Sequence, residues 1–135
     1  MNILVIDAQG GGLGRQIVSE LKKNFPEQKV TAVGTNSAAT QNMLKAGADE
    51  AATGENPVIV CCRNADIIIG PIGIVIADSM LGEITAAMAA AVGSSPARRI
   101  LIPMENCDNC VVGTRGMSVN AKTAEVIKEV AALIS

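Results

Sequence analysis

The chain contains no histidine, no tryptophan and no tyrosine, and its one aromatic residue is Phe25. Each absence closes off chemistry. Without histidine there is no Ser-His-Asp or Cys-His nucleophile pair, no HExxH zinc site and no 2-His-1-carboxylate iron site. Without tyrosine there is no phenolic general acid. A single ring cannot provide the stacking platforms on which RNA and single-strand binders lay their bases. Basic runs are also missing. The formal net charge is −2, so neither nucleic acid nor an anionic membrane finds an electrostatic footprint. The longest apolar run, Ile67 to Ala77, is interrupted by Gly70, Pro71 and Gly73 and is too short to span a bilayer. Met1 to Asp7 carries no basic stretch and leads into a glycine turn, so no signal peptide is expected. The expected location is the cytoplasm, with Cys61, Cys62, Cys107 and Cys110 as reduced thiols.

What is present is ample apolar material. Of 135 residues, 49% are hydrophobic and 18% charged, enough for one domain over residues 1–135 and too little for two. Apolar runs alternate with helical patterns five times, the signature of a parallel sheet covered by helices on both faces. The expected strands are Asn2–Asp7, Lys29–Gly34, Ala48–Thr53, Asp66–Gly70 and Arg99–Met104. Unbroken Ile3, Leu4, Val5 and Ile6 mark a strand buried on both sides. Leu13, Ile17, Val18, Leu21 and Phe25 recur at helical spacing. Asn36 or Ser37 caps a second helix, and Asn56-Pro57 opens a short third one. Gly73 to Val92 reads as a long helix ending at Gly93, with Gly82 the point where it could kink, and a last helix lies within Val119 to Ile134. The expectation is a three-layer, Rossmann-like α/β fold with strand order 3-2-1-4-5. The order then reverses between the first and fourth strands, beside Asp7 and the Gly70–Gly73 turn, where ligands bind in open parallel sheets.

The most informative stretch is Asp7 to Gln16, with Gly10, Gly11, Gly12 and Gly14 between strand and helix. A glycine turn feeding a helix N-terminus gathers free backbone N–H groups and the positive dipole end, an arrangement suited to phosphate. Two templates nearly fit. GxGxxG requires glycine at positions 9, 11 and 14, and position 9 is Gln. GxxxxGK[ST] fails at Gln9, Arg15 and Gln16, which removes ATP hydrolysis by that mechanism. The alternative is a turn needed only for tight strand–helix packing. The second strand ends in Gly34-Thr35-Asn36-Ser37, without the acid that holds the ribose of NAD. NADP is permitted rather than favoured, and capping explains Asn36 and Ser37 equally well. The candidate binding set is therefore Gln9, Gly10, Gly11, Gly12, Gly14, Arg15, Asn36, Ser37, Gly70 and Gly73. Asp7 and Glu55 are the weak catalytic candidates. Asp7 suits either a cation or ligand or the N–H groups of the glycine turn.

No metal site is expected. Cys107-Asp-Asn-Cys110 has CxxC spacing and Cys61-Cys62 is a vicinal pair, but neither forms the paired pattern of a structural zinc site. A second surface lies in Ala86, Ala87, Met88, Ala89, Ala90 and Ala91. A long helix apolar on every face must be buried on every face, so a homodimer packed through it is expected, unless alanine simply fills an exposed helix face.

Asn2–Asp7 through Gly14, Val33-Gly-Thr-Asn36, Thr53-Gly-Glu-Asn-Pro57, Ala65 to Ile74 and Leu81-Gly-Glu-Ile-Thr85 together resemble a bacterial family of small single-domain proteins known as a domain of unknown function. The resemblance covers nearly the whole chain and implies a Rossmann-like domain, without an activity or a catalytic residue. The residues themselves favour binding of a nucleotide or another phosphorylated small molecule. The alternatives are a regulatory or assembly subunit acting through self-association, and a thiol-based metal or redox protein.

Overall fold

Five parallel strands form one sheet in the order β3-β2-β1-β4-β5 in a computed structural model that describes residues 1–104 and 108–135. The elements are β1 (Asn2–Asp7), α1 (Gly12–Asn24), β2 (Lys29–Gly34), α2 (Ser37–Lys45), β3 (Glu50–Thr53), α3 (Glu55–Asn64), β4 (Ile67–Pro71), a 3₁₀ turn (Ile72–Val75), α4 (Ala86–Ser94), β5 (Arg98–Ile102) and α5 (Val119–Ile134). β1 pairs with β2 from Asn2 opposite Lys29 to Asp7 opposite Gly34, and with β4 from Ile3 opposite Ile67 to Val5 opposite Ile69. The expected fold class and strand order are those observed.

Alternation along β1 divides the core in two. Ile3 and Val5 join Ile17, Val18 and Leu21 of α1, Met43 of α2 and Val126 and Val130 of α5. Leu4 and Ile6 join Val58 of α3, Ile74, Ile84, and Met88 and Val92 of α4. Helices thus cover both faces, and the change of side between α2 and α3 produces the reversal between β1 and β4.

The expected long helix from Gly73 to Val92 does not form. The chain makes one 3₁₀ turn, then an irregular loop, and becomes helical only at Ala86. Thr85 caps that helix, its Oγ1 accepting the Met88 N–H at 3.1 Å. The break has a packing cause: Ile74 and Ile84 are both fully buried in one cluster, and a continuous helix would separate them by about 15 Å of axis. α4 spans nine residues and buries Met88, Ala89 and Val92, leaving Ala86, Ala87 and Ala90 exposed. The premise for self-association, a long helix apolar all round, is therefore replaced by a short helix with one buried face.

Candidate functional site

β1 ends in Asp7, a buried carboxylate only 5% exposed. Its Oδ1 accepts the Ala8 N–H at 2.8 Å and its Oδ2 the Gly14 N–H at 2.7 Å. α1 starts after Gly11, which is left-handed at φ 70° and carries no capping side chain. Asp7 supplies the missing acceptor from the preceding strand, satisfying an orphan N–H of the first turn and placing negative charge at the positive end of the helix. Of the two roles expected for Asp7, the geometry shows the structural one. Burial pushes its carboxyl above the usual range, against the two N–H bonds that lower it, and Glu83 adds repulsion.

The rest of the loop leaves donors open. Gly11 N–H reaches Ala8 O at 3.0 Å, and Arg15 N–H reaches Gly11 O at 2.8 Å. Among the described residues, nothing accepts from the N–H groups of Gly10, Gly12 or Leu13. A Cβ at Gly10 or Gly12 would meet no atom within 4 Å, so this side of the loop faces open space. That space is a cleft of about 700 Å³ at the carboxyl edge of the sheet, bounded by Gln9–Leu13 on one side and by Pro71, Gly73 and the 76–81 segment on another.

The opposing wall is held in an unusual backbone conformation. Asp78, Met80 and Leu81 have φ values of 65°, 56° and 57°, and Gly82 follows at 85°. Gly82 N–H donates to Ser79 O and Glu83 N–H to Met80 O, both at 3.2 Å, making a single left-handed turn. Such a conformation costs about 1–2 kcal/mol for each non-glycine residue, so neighbouring contacts must hold it. Ser79 Oγ donates to Gly73 O at 2.5 Å. Asp78 N–H reaches Ile84 O at 2.7 Å, with the return bond from Ile84 N–H to Ser79 O at 3.3 Å.

Glu83 completes the anchorage. Its Oε1 accepts from Thr35 Oγ1 at 2.6 Å, Asn36 Nδ2 at 2.8 Å and Gln9 N–H at 2.9 Å. One carboxylate oxygen thereby joins the left-handed turn, the glycine loop and the end of β2. The Thr35 hydroxyl and the Gln9 N–H hold the Glu83 carboxyl below the usual range. Its stabilisation is therefore complete above the ordinary value near pH 4.5 and is lost as pH falls through the lower folded value. Replacing Glu83 by Ala is expected to cost about 1 kcal/mol at neutral pH, a modest figure because the carboxylate remains partly exposed. The same change should flatten the acid side of a stability–pH curve. An unaltered acid limb would show that the anchorage contributes nothing net.

Asp7, Gln9, Gly10, Gly11, Gly12 and Gly73 of the predicted set line the cleft. The other six do not. Gly14 packs under Asp7 and Met43, where a Cβ would lie 2.6 Å from the methionine sulfur. Arg15 and Ser37 are exposed on their helices. Asn36 is fully engaged: Oδ1 accepts the Ala39 N–H at 2.9 Å, and Nδ2 donates to Gln9 O as well as to Glu83. Glu55 accepts from Thr85 Oγ1 at 2.6 Å, tying α3 to the start of α4. Gly70 sits against Ile6 and Ile74. The sequence reading missed Glu83, Met80, Leu81 and Asp78 because it placed them on a helix. Gly82, expected only as a kink, together with the Thr85 cap was the available signal for a turn.

Cys62 is buried, which raises its thiol to about 11, and burial also raises Cys61, so neither is an activated nucleophile. Cys110 is exposed, and Cys107 lies outside the described residues, as therefore does the geometry of the CxxC. No metal-holding cluster of three or more His, Cys, Asp or Glu occurs among the described residues. Nor is any helix among them long and apolar enough to cross a membrane.

The sequence pattern of one family matches residues 2–135. The chain belongs to DUF3842, a domain of unknown function. No curated protein matches it significantly in sequence. Among solved structures it is similar to a dodecameric FMN-dependent Ubix-like decarboxylase from Escherichia coli O157:H7, at 15% identity and a TM-score of 0.56, over 99% of this chain and 94% of that one. This likeness shows the Rossmann- and flavodoxin-like fold. A nucleoside-diphosphate-sugar epimerase from Pseudomonas aeruginosa aligns at 13% identity and a TM-score of 0.47, over 97% of this chain and 47% of that one, which is too loose to argue from.

Proposed function

We propose that the cleft binds a small phosphorylated molecule of nucleotide type, with its phosphate on the N–H groups of Gly10, Gly12 and Leu13. The observation that carries this reading is the coincidence of open donors, side-chain-free space over Gly10 and Gly12, and a cleft at the reversal of strand order. A volume of about 700 Å³ lies within the range of small-molecule sites. The similar fold that uses FMN adds support at the level of fold alone. No reaction is assigned, because both oxygens of Asp7 are committed to backbone N–H groups.

Gly12→Glu tests the reading. Gly12 has an ordinary φ and free space around it, so the variant should fold like wild type while placing a carboxylate where the phosphate would sit. Ligand at a hundredfold excess over its Kd stabilises a protein by about 2.7 kcal/mol. The expected result is a clear rise in Tm for wild type with millimolar FMN or AMP, absent in the variant. If neither these nor a wider set of nucleotides and sugar phosphates moves the wild-type Tm, the proposal is wrong.

A further inference from the structure

Resting on that reading, we infer that the ligand carries a single phosphate on a planar or apolar group, and that the cleft discriminates against diphosphates, triphosphates and dinucleotides. Two independent observations lead there. The first is charge. Among the described residues, three carboxylates, Asp7, Asp78 and Asp108, line the cleft, and no lysine or arginine does. Asp7 already takes the Gly14 N–H at the start of α1, which reduces the positive potential left for an anion. A few backbone donors can hold one phosphate under these conditions. A second phosphate would bring further negative charge toward Asp78 and Asp108 with no cation to receive it.

The second observation is the closed end of β2. In a dinucleotide site the ribose of the adenosine half lies there. Here Glu83, Asn36, Thr35 and Gln9 fill that position with a hydrogen-bonded network whose distances run from 2.6 to 2.9 Å. A second nucleoside would have to break it, and would meet the Glu83 carboxylate. Thr35, Asn36 and Glu83 do not line the cleft, whereas Ile76, Met80, Leu81 and Met104 do. Thioether and aliphatic side chains on that wall suit the face or edge of a flat ring. Leu81 is 96% exposed on the strained turn, an apolar contact held out at the rim where a ring would cover it.

The inference makes Asp78 a specificity-determining residue. It is exposed and left-handed at φ 65°, a conformation that asparagine tolerates, so Asp78→Asn changes charge while keeping the turn. Calorimetric titration of the whole chain in EDTA should give Kd values for FMN or AMP at least tenfold below those for ADP, ATP and NADP. In Asp78→Asn the ratio of the ADP and AMP constants should fall several-fold. Equal or tighter binding of ADP or NADP by wild type would overturn the inference and leave phosphate binding standing. An unchanged ratio in Asp78→Asn would overturn the role given to its charge. Failure of every phosphate compound to bind would remove the proposed function itself, and this inference with it.

Discussion

Replacing Asp7 by Ala is expected to lower stability by about 3 kcal/mol, or roughly 10 °C in Tm. The change removes the acceptor for the N–H groups of Ala8 and Gly14, both hydrogen-bonded to this carboxylate in a buried setting. Each buried donor left without a partner costs about 1–3 kcal/mol. The pH dependence carries a distinct sign. Burial raises the folded carboxyl above its ordinary value of 3.8, so the folded state binds protons more tightly than the unfolded chain. The contribution of this ionisation is therefore most favourable below pH 3.8 and is lost as pH rises through the folded value. Removing Asp7 should delete a slope opposite in sign to the one that Glu83 supplies. Urea unfolding of wild type and variant across pH 3–7 measures both quantities. A variant as stable as wild type at neutral pH would mean that the cost of burying the charge equals what its two hydrogen bonds return.

Gly70→Val is expected to cost about 3 kcal/mol or more, or to prevent folding. Gly70 lies in β4, the strand beside β1 at the centre of the sheet. A Cβ there would stand 2.5 Å from the Ile6 carbonyl oxygen and 2.8 Å from Ile74 Cδ1. The isoleucine end can rotate, but the carbonyl belongs to the backbone of β1 and cannot move without disturbing the sheet. Thermal unfolding with far-UV circular dichroism gives the answer. A Tm within 2 °C of wild type (well inside the shift expected for 1 kcal/mol) would show that β1 and β4 can separate. Gly70 thus serves the close approach of two chain segments.

The sheet was legible in the sequence because its signals are local. Continuous runs such as Ile3 to Ile6 and Ile67 to Ile69 read as strands buried on both faces. Helical spacing between them forces parallel crossovers, and right-handedness then limits the strand orders available. The glycine loop was legible for the same reason, since a strand, a glycine cluster and a helix are consecutive. Where the signals were local but ambiguous, one prediction failed. Gly73 to Val92 is rich enough in alanine and other apolar residues to form a helix, and it is interrupted because Ile74 and Ile84 must share one small core.

Sequence alone determined the fold class, the glycine turn at the carboxyl edge of the sheet, and the exclusion of histidine-dependent catalysis. Tertiary structure decided which candidates share the cleft. Asn36 and Glu83 are 47 residues apart, and no periodicity reveals that one closes the β2 end by bonding the other. Asp7 and Gly14 are seven apart, yet only the turn of the loop shows the carboxylate occupying a donor in the first turn of α1. Backbone donors carry no sequence signature of being free or satisfied. That is settled by where the chain places the acceptors, a property of the folded arrangement rather than of any residue within it.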